Sequence, residues 1–156
     1  MAKPKTDITD KKILNLLAND AQKQYAEIGE KVFVSPATVH VRIKKLKRDG
    51  IIKHAQTVID YTKLGYDLTA FIGIYLMQSD MYDAVVKDLK KINEVVSCHY
   101  TTGNYSLLIK IMCKDTEHLR KTLHDRIQKV KGISRTETMI ALEESINRVL
   151  KIDETD

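Results

Sequence analysis

The chain has 156 residues, 43% hydrophobic and 30% charged, with a net charge of +5, which suits one medium folded domain or two small ones. No apolar run approaches the roughly 18 residues that span a bilayer. Residues 1–10 lack the apolar core of a secretory signal, so the expected place is the cytoplasm, with no membrane partner. The charge is uneven. Residues 1–60 carry 12 Lys and Arg against 7 Asp and Glu, whereas residues 61–156 carry 14 against 14. A basic segment joined to a neutral one points the first segment at a polyanion.

In chain order, Ile8, Ile13, Leu14, Leu16 and Leu17 recur at helical spacing. Thr6 or Asp7 can cap this helix, and Asn19-Asp20 ends it. A second, short helix is expected over 25–32, with Tyr25, Ile28 and Val32 on one face. Phe33-Val34 makes a tight connection. Ser35 then supplies a favoured N-cap and Pro36 a favoured first helical residue. The helix that follows carries Val39, Ile43 and Leu46 and stops at Asp49-Gly50, where glycine can turn left-handed. Helix, short helix, tight turn and capped helix is a helix-turn-helix pattern. Ile51-Ile52 and 57–59 are β-prone and read as a small hairpin or a strand leaving the helical unit. Residues 60–66 are polar and turn-like. The boundary is placed there, making 1–60 a helix-turn-helix, winged-helix-like DNA-binding domain with a linker strand.

The second domain, 61–156, follows another rhythm. Strands are expected over 68–76, 95–102, 106–113 and 133–142, and helices over 81–92 and 116–130, the latter capped by Asp115 or Thr116. The order β-α-β-β-α-β is the ferredoxin-like arrangement, so the whole chain is α+β. Residues 145–152 can add a strand or a short helix. Gly103-Asn104 reads as a two-residue hairpin turn, which pairs positions whose numbers add to 207 and sets Cys98 opposite Ile109. Cys113 is then offset from Cys98 by roughly 13 Å at about 3.3 Å per residue, too far for a disulfide. Both cysteines read as small buried hydrophobes.

On a helical wheel, Val39, Ile43 and Leu46 share one side of the third helix. The opposite side presents Ala37, Val41, Lys44 and Arg48, with Thr38 and Lys45 beside them and His40 and Arg42 on the flanks. Ser35, Ala37 and Thr38 are small enough to let the helix approach base edges. Thr38 or Val41 can touch a thymine methyl, and Arg42 can reach a guanine. Lys44, Lys45, Lys47 and Arg48 suit phosphates. Cations near a helix C-terminus also suit its dipole, and a charged face is common, so charge alone does not decide. Charge together with the short helix, the turn and the Ser-Pro cap makes double-stranded DNA the expected partner.

In the second domain, Leu107, Ile109 and Ile111 line one face of their strand, while Leu108, Lys110 and Met112 alternate with them. Apolar residues on both faces imply that the uncovered face packs on another sheet. Dimerisation follows, and it would bring two recognition helices to half-sites about 34 Å apart. The turn Thr101-Thr102-Gly103-Asn104 offers hydroxyls and backbone N–H groups to a carboxylate. Glu137 can accept from an ammonium group, and Gln128 or Asn104 can meet an amide. Plain hairpin chemistry accounts for the same residues.

Two other functions fit poorly. An enzyme needs a nucleophile, base or metal set, but His40, His54, His118 and His124 are scattered, and no phosphate-binding glycine loop is present. Neither a CxxC nor a Cys/His pair has zinc spacing. No cofactor is expected. An RNA-recognition sheet would need aromatic residues on its third strand, and 106–113 has none.

The block SPATVHVRIKKLKRDGII at 35–52 resembles the recognition helix of the Lrp/AsnC family of bacterial and archaeal transcription regulators. LGYD at 64–67 and FIGI at 71–74 resemble the start of that family's second domain. YTTGNYS at 100–106 and IKIMC at 109–113 resemble its effector-domain hairpin, and TET at 136–138 its fourth strand. The HVR and YTTG blocks are similar to the family's asparagine-responsive branch. The resemblance implies a transcription regulator whose activity or assembly responds to a small amino acid, asparagine being the first candidate. It also implies dimers that assemble further, commonly to octamers, with the effector in a cleft between dimers. The effector site so implied comprises Tyr100, Thr102, Gly103, Tyr105, Gln128, Thr136, Glu137 and Thr138, with Thr101 and Asn104 added from the turn chemistry. An architectural DNA-binding protein with little effector response is the alternative.

Overall fold

The computed structural model describes residues 5–155. It divides into two compact units, one formed by residues up to Val58 together with the C-terminal segment from Ile146, the other by Ile59–Ser145. The first unit holds α1 (Ile8–Asn19), α2 (Tyr25–Val32) and α3 (Pro36–Arg48). Asp7 caps α1: its carboxylate accepts from the Asp10 N–H at 2.7 Å, and the Asp10 carboxylate accepts from the Asp7 N–H at 3.3 Å. This reciprocal arrangement satisfies two of the donors a helix start leaves open. Ser35 caps α3 through the Thr38 N–H, and Pro36 opens the helix. Ile13, Ile28, Val32, Val39 and Ile43 form the core, with Leu16, Leu17, Val34 and Ile52 packed against it.

The β-prone runs after α3 form no strand. Instead, the N–H groups of Ile51 and Ile52 donate to the Leu46 carbonyl at 3.0 and 3.1 Å and close the helix end over Gly50, whose φ is +72°. Val58 is 95% exposed, so the second run has no neighbouring strand to pair with within its unit.

The expected boundary left the C-terminal segment with the second domain, as a strand or short helix. It forms neither, and residues 146–155 belong to the helical unit. Asn15 of α1 holds the chain there as a peptide would. Its Nδ2 donates to the Ile152 carbonyl at 2.9 Å, and its Oδ1 accepts from the Ile152 N–H at 2.8 Å. Nδ2 also reaches Glu154 Oε1 at 2.9 Å.

The second unit is a four-stranded antiparallel sheet of β1 (Leu68–Leu76), β2 (Val95–Tyr100), β3 (Leu107–Cys113) and β4 (Ile133–Ile140), in the order β2-β3-β1-β4. Two helices, α4 (Tyr82–Leu89) and α5 (Thr116–Lys121), cover one face. Ala70, Ile72 and Ile74 of β1 and Leu107, Ile109 and Ile111 of β3 pack against Val85, Leu89, Leu119 and Ile127. This is the expected ferredoxin-like arrangement. Both helices are less regular than their apolar spacing predicts. A single 3-10 turn, Ser79–Met81, precedes α4, and α5 widens into a π-helical stretch, Thr122–Ile127. There Gln128 N–H reaches back to the Leu123 carbonyl at 2.9 Å.

The hairpin keeps its expected register, with Cys98 opposite Ile109, His99 opposite Leu108 and Tyr100 opposite Leu107. Its turn is longer than two residues. The strands stop at Tyr100 and Leu107, and the loop between them is closed by Thr101 N–H on the Ser106 carbonyl at 3.2 Å. Thr101 Oγ1 donates to the Tyr105 carbonyl inside that loop. Cys113 is buried, but Cys98 is exposed, because it lies on β2 at the sheet edge, where α4 and α5 do not cover it. Both thiols are free.

Replacing Asn15 with Ala removes the side chain that grips Ile152. The expected outcome is faster trypsin cleavage after Lys151 and a loss of about 1 kcal/mol in urea unfolding. An unchanged cleavage rate would contradict the contact.

Candidate functional site

Two places in the molecule gather the residues singled out from the sequence. The first is the outer face of α3. Its buried side is Val39, Ile43 and Leu46, which turns Ser35, Ala37, Thr38, Val41, Lys44, Lys45 and Arg48 outward, all exposed. The Ser35 and Thr38 hydroxyls lie 2.9 Å apart, so one of them is partly engaged by the other. His40 is exposed and stacks on Tyr25 of α2, with ring centroids 5.8 Å apart. Asp7, Ala37, Thr38, Val41, Arg42 and Lys45 line an open depression at the N-terminal half of the helix.

The cations on α3 are not equivalent. Arg42 is only half-buried, and one guanidinium nitrogen, Nη1, meets two carboxylates, 2.7 Å from Asp7 Oδ2 and 2.8 Å from Asp10 Oδ1. Asp10 is fully buried, and a buried carboxylate needs such a partner. The position of Arg42 on the helix lets it reach for a guanine, but the fold gives it two carboxylates first. Lys45 Nζ stands 3.8 Å from the same Asp10. Arg48 Nε bonds Asp49 at 2.9 Å. Among the described residues, Lys44 and Lys47 make no ion pair. Nothing in the local sequence announced the Asp10–Arg42 pair, because it depends on how α1 packs on α3.

The second place is the β2-β3 loop. Tyr100, Thr101, Thr102, Gly103, Asn104 and Tyr105 line an open depression of about 150 Å³, completed by Leu76, Ser79 and Ser106. Drug-sized pockets run from roughly 300 to 1,000 Å³, so this one suits a much smaller ligand. Leu76 and Ser79 carried no signal in the sequence. They arrive because the Ser106 N–H donates to the Ile74 carbonyl at 2.9 Å and ties the loop to the end of β1. Tyr100 meets Tyr82 of α4 at 4.8 Å between ring centroids.

The remaining expected effector residues divide between the two faces of β4. Thr136 and Thr138 stand opposite Ile74 and Ile72, whose side chains point to the helices, and directly paired residues share a face. Gln128 joins them there, its Nε2 3.3 Å from Thr136 Oγ1. Glu137 stands opposite Gly73 on the uncovered face. It accepts from Tyr105 at 2.9 Å, from Tyr75 at 3.1 Å and from Arg135 at 2.7 Å. Arg135 also lies over the Tyr75 ring at 4.2 Å. The Tyr105 and Tyr75 hydroxyls, with Arg135 nearby, hold the Glu137 carboxyl below its ordinary range, and the same contact pushes the Tyr105 phenol up. A Cβ at Gly73 would collide with the Tyr105 ring, so glycine makes room for this cluster. Tyr105 thus links the loop depression to Glu137, whereas Gln128, Thr136 and Thr138 lie on the other side of the sheet.

Among the described residues, no helix is long and apolar enough to cross a membrane, and no three His, Cys, Asp or Glu side chains are grouped to hold a metal.

Replacing Arg42 with Ala leaves Asp10 buried without its main partner, and a loss of about 2 kcal/mol is expected in urea unfolding. The pair also carries a pH signature. The Asp10 N–H and then Arg42 hold the Asp7 carboxyl below its ordinary value. A depressed folded-state value means that this stabilisation is complete above the unfolded value of about 4. It is lost as pH falls through the lowered one. Acid unfolding of the wild type should therefore be steeper than that of Arg42→Ala below about pH 4. Equal stability of the two proteins at neutral pH would contradict the pairing.

Comparison with known proteins gives these two places a shared context. Residues 69–150 match the family model for the Lrp/AsnC ligand binding domain, and residues 6–53 match a winged helix-turn-helix DNA-binding model. The regulatory protein AsnC of Haemophilus influenzae is 43% identical over 145 residues, covering 93% of this chain and 97% of that protein. The structure of Escherichia coli AsnC superposes with a TM-score of 0.91 at 39% identity, covering 96% of this chain and all of that one. A Neisseria meningitidis transcriptional regulator solved with L-Met shares the fold, with a TM-score of 0.90 at 23% identity over 96% of this chain and 97% of that one. The curated relatives are named as regulatory proteins rather than enzymes. With both domains matched in order, and close relatives spanning nearly its whole length, the chain belongs to the Lrp/AsnC family of DNA-binding transcription regulators.

Proposed function

We propose that this protein reads a specific DNA sequence with α3, works in the cytoplasm as a homodimer that assembles further to an octamer, and adjusts its activity or assembly to a small amino acid. Asparagine is the first candidate. The outer face of α3 carries the reading. Its N-terminal half exposes small or apolar side chains, Ala37, Thr38 and Val41, and its C-terminal half exposes Lys44, Lys45 and Arg48. Base edges are met by the first set and phosphates by the second. Ser35 and His40 flank the reading surface. Arg42 acts as a positioning residue, since its guanidinium is held by Asp7 and Asp10.

Two features support the remainder. The uncovered sheet face carries Phe71, Leu108, Met112 and Met139 around Lys110, an apolar surface suited to a second copy of the sheet. The loop depression offers the Thr101 and Thr102 hydroxyls and the Gly103 and Asn104 backbone to the carboxylate and amide of a small ligand. Tyr105 connects that depression to Glu137. An L-Met complex is known for the N. meningitidis protein of the same fold, and the asparagine-responsive resemblance of the HVR and YTTG blocks favours asparagine here.

Lys44→Ala tests the DNA surface with little disturbance to the fold. Its affinity for a selected and an unselected duplex should fall alike, and the slope of log affinity against log salt should drop by about 0.9. An unchanged slope would overturn the phosphate role. Equal wild-type affinity for all duplexes would favour an architectural protein. A thermal-shift series over the twenty amino acids tests sensing. Asparagine should raise the midpoint at millimolar concentration, and no shift with any amino acid would overturn the effector role.

A further inference from the structure

Two residues before the Ser35 cap, Phe33 sits in the left-handed region with φ 57° and ψ 45°. It is the one non-glycine residue with positive φ among the described residues. A residue with a Cβ is strained there by roughly 1–2 kcal/mol, and glycine is the usual occupant of a helix C-terminus in this conformation. The turn imposes the conformation. Val34 N–H bonds the Gly29 carbonyl at 3.0 Å, and a Cβ on Gly29 would meet the Val34 carbonyl oxygen at 2.6 Å. The strain is not offset by burial, because Phe33 is 91% exposed.

The ring's surroundings point to an occupant. Phe33 frames a shallow depression with Ala26, Gly29, Val34, Ser35 and Pro36, and the exposed Glu30 of α2 stands at its rim. Pro36, the first residue of α3, belongs to that depression, and the next residues of the helix, Ala37 and Thr38, line a separate one with Val41. Between residues 25 and 50, Phe33 and Val41 are the two large hydrophobic side chains more than half exposed, and they bracket the N-terminal half of the recognition helix. Phe33 lies two residues before the Ser35 cap of the proposed base-reading helix, and exposed cations stand on both helices, Lys31 on α2 and Lys44 on α3. A DNA groove wall offers matching apolar surface in thymine methyl groups and deoxyribose faces.

We propose that Phe33 packs its ring on the apolar surface of DNA, a thymine methyl or a deoxyribose, at the edge of the groove that α3 enters. It adds affinity and base preference just outside the stretch read by Ala37, Thr38 and Val41. This rests on the DNA-binding reading of α3.

The test uses the full chain and a duplex selected from a random pool with the wild type. Phe33→Gly relieves the backbone strain, so its thermal midpoint should rise. Its affinity for the selected duplex should nonetheless fall about tenfold, with an unchanged salt slope because no charge is lost. Phe33→Asn, which also tolerates the left-handed region, should show the same loss and so excludes added chain flexibility as its cause. Replacing flanking thymines with uracil separates the two DNA surfaces. A position where the wild type weakens and Phe33→Gly does not marks a methyl contact, and a loss insensitive to every such replacement marks deoxyribose. Undiminished affinity in Phe33→Gly, the outcome expected of a ring reserved for a protein partner, would overturn the proposal while leaving the wild type's DNA binding intact. If the wild type selects no duplex, the underlying reading of α3 fails instead.

Discussion

The buried Asp10 carboxylate organises the DNA-binding unit. It completes the capping box that starts α1, and it holds Arg42 from the middle of α3. A carboxylate taken wholly out of water is tolerable only with such partners, so the start of one helix and the placement of another depend on the same two oxygens. Lys45 adds a more distant charge to the same group. Part of the positive potential of α3 is thereby spent within the unit, leaving Lys44 and Lys47 without an ion pair among the described residues. The outward face is then graded, small and apolar near Ser35 and cationic toward Arg48, a gradient that matches bases at one end and phosphates at the other.

In the second unit the comparable constraint is Gly73. With no side chain there, the Tyr105 ring lies against β1, and its hydroxyl reaches Glu137 on β4. The β2-β3 loop is thus anchored by its own Tyr105 to two other strands, and the Ser106 N–H adds a backbone bond to Ile74. A ligand held by the loop would press on the uncovered sheet face through Tyr105 and Glu137. That face is the surface proposed to meet a second copy. On that proposal, ligand and second copy would meet the same side chains, Tyr105 and Glu137, a physical route by which an amino acid could alter association.

How much of this was legible in the sequence follows the range of the forces involved. The bounds of α3 were readable because Ser35, Pro36 and Gly50 act within a few residues of themselves. The hairpin register was readable because Gly103-Asn104 centres it, although the loop opened to four residues beyond the Thr101–Ser106 pair. Contacts across the fold were not readable. Asp10 carried no signal, and Arg42 read as a cation free to reach a guanine. The alternation of β4 was visible as spacing, but its consequence, that Thr136 and Thr138 face the helices while Glu137 faces away, needed the pairing with β1. The runs after α3 looked like strands by composition, but no strand lies beside them in their unit. The return of the C-terminal segment to Asn15 had no sequence signature at all.

The central claim is a division of labour on α3, in which Arg42 positions the helix and the side chains around Ala37, Thr38 and Val41 read the bases. The most direct measurement is a selection of preferred duplexes from a random pool, carried out in parallel with the wild type and with Arg42→Met at a temperature where both are folded. The account predicts the same preferred sequence for both, with weaker binding by the variant. A change of preferred base at one position, with the rest of the sequence retained, would show that Arg42 reads DNA directly and would contradict it.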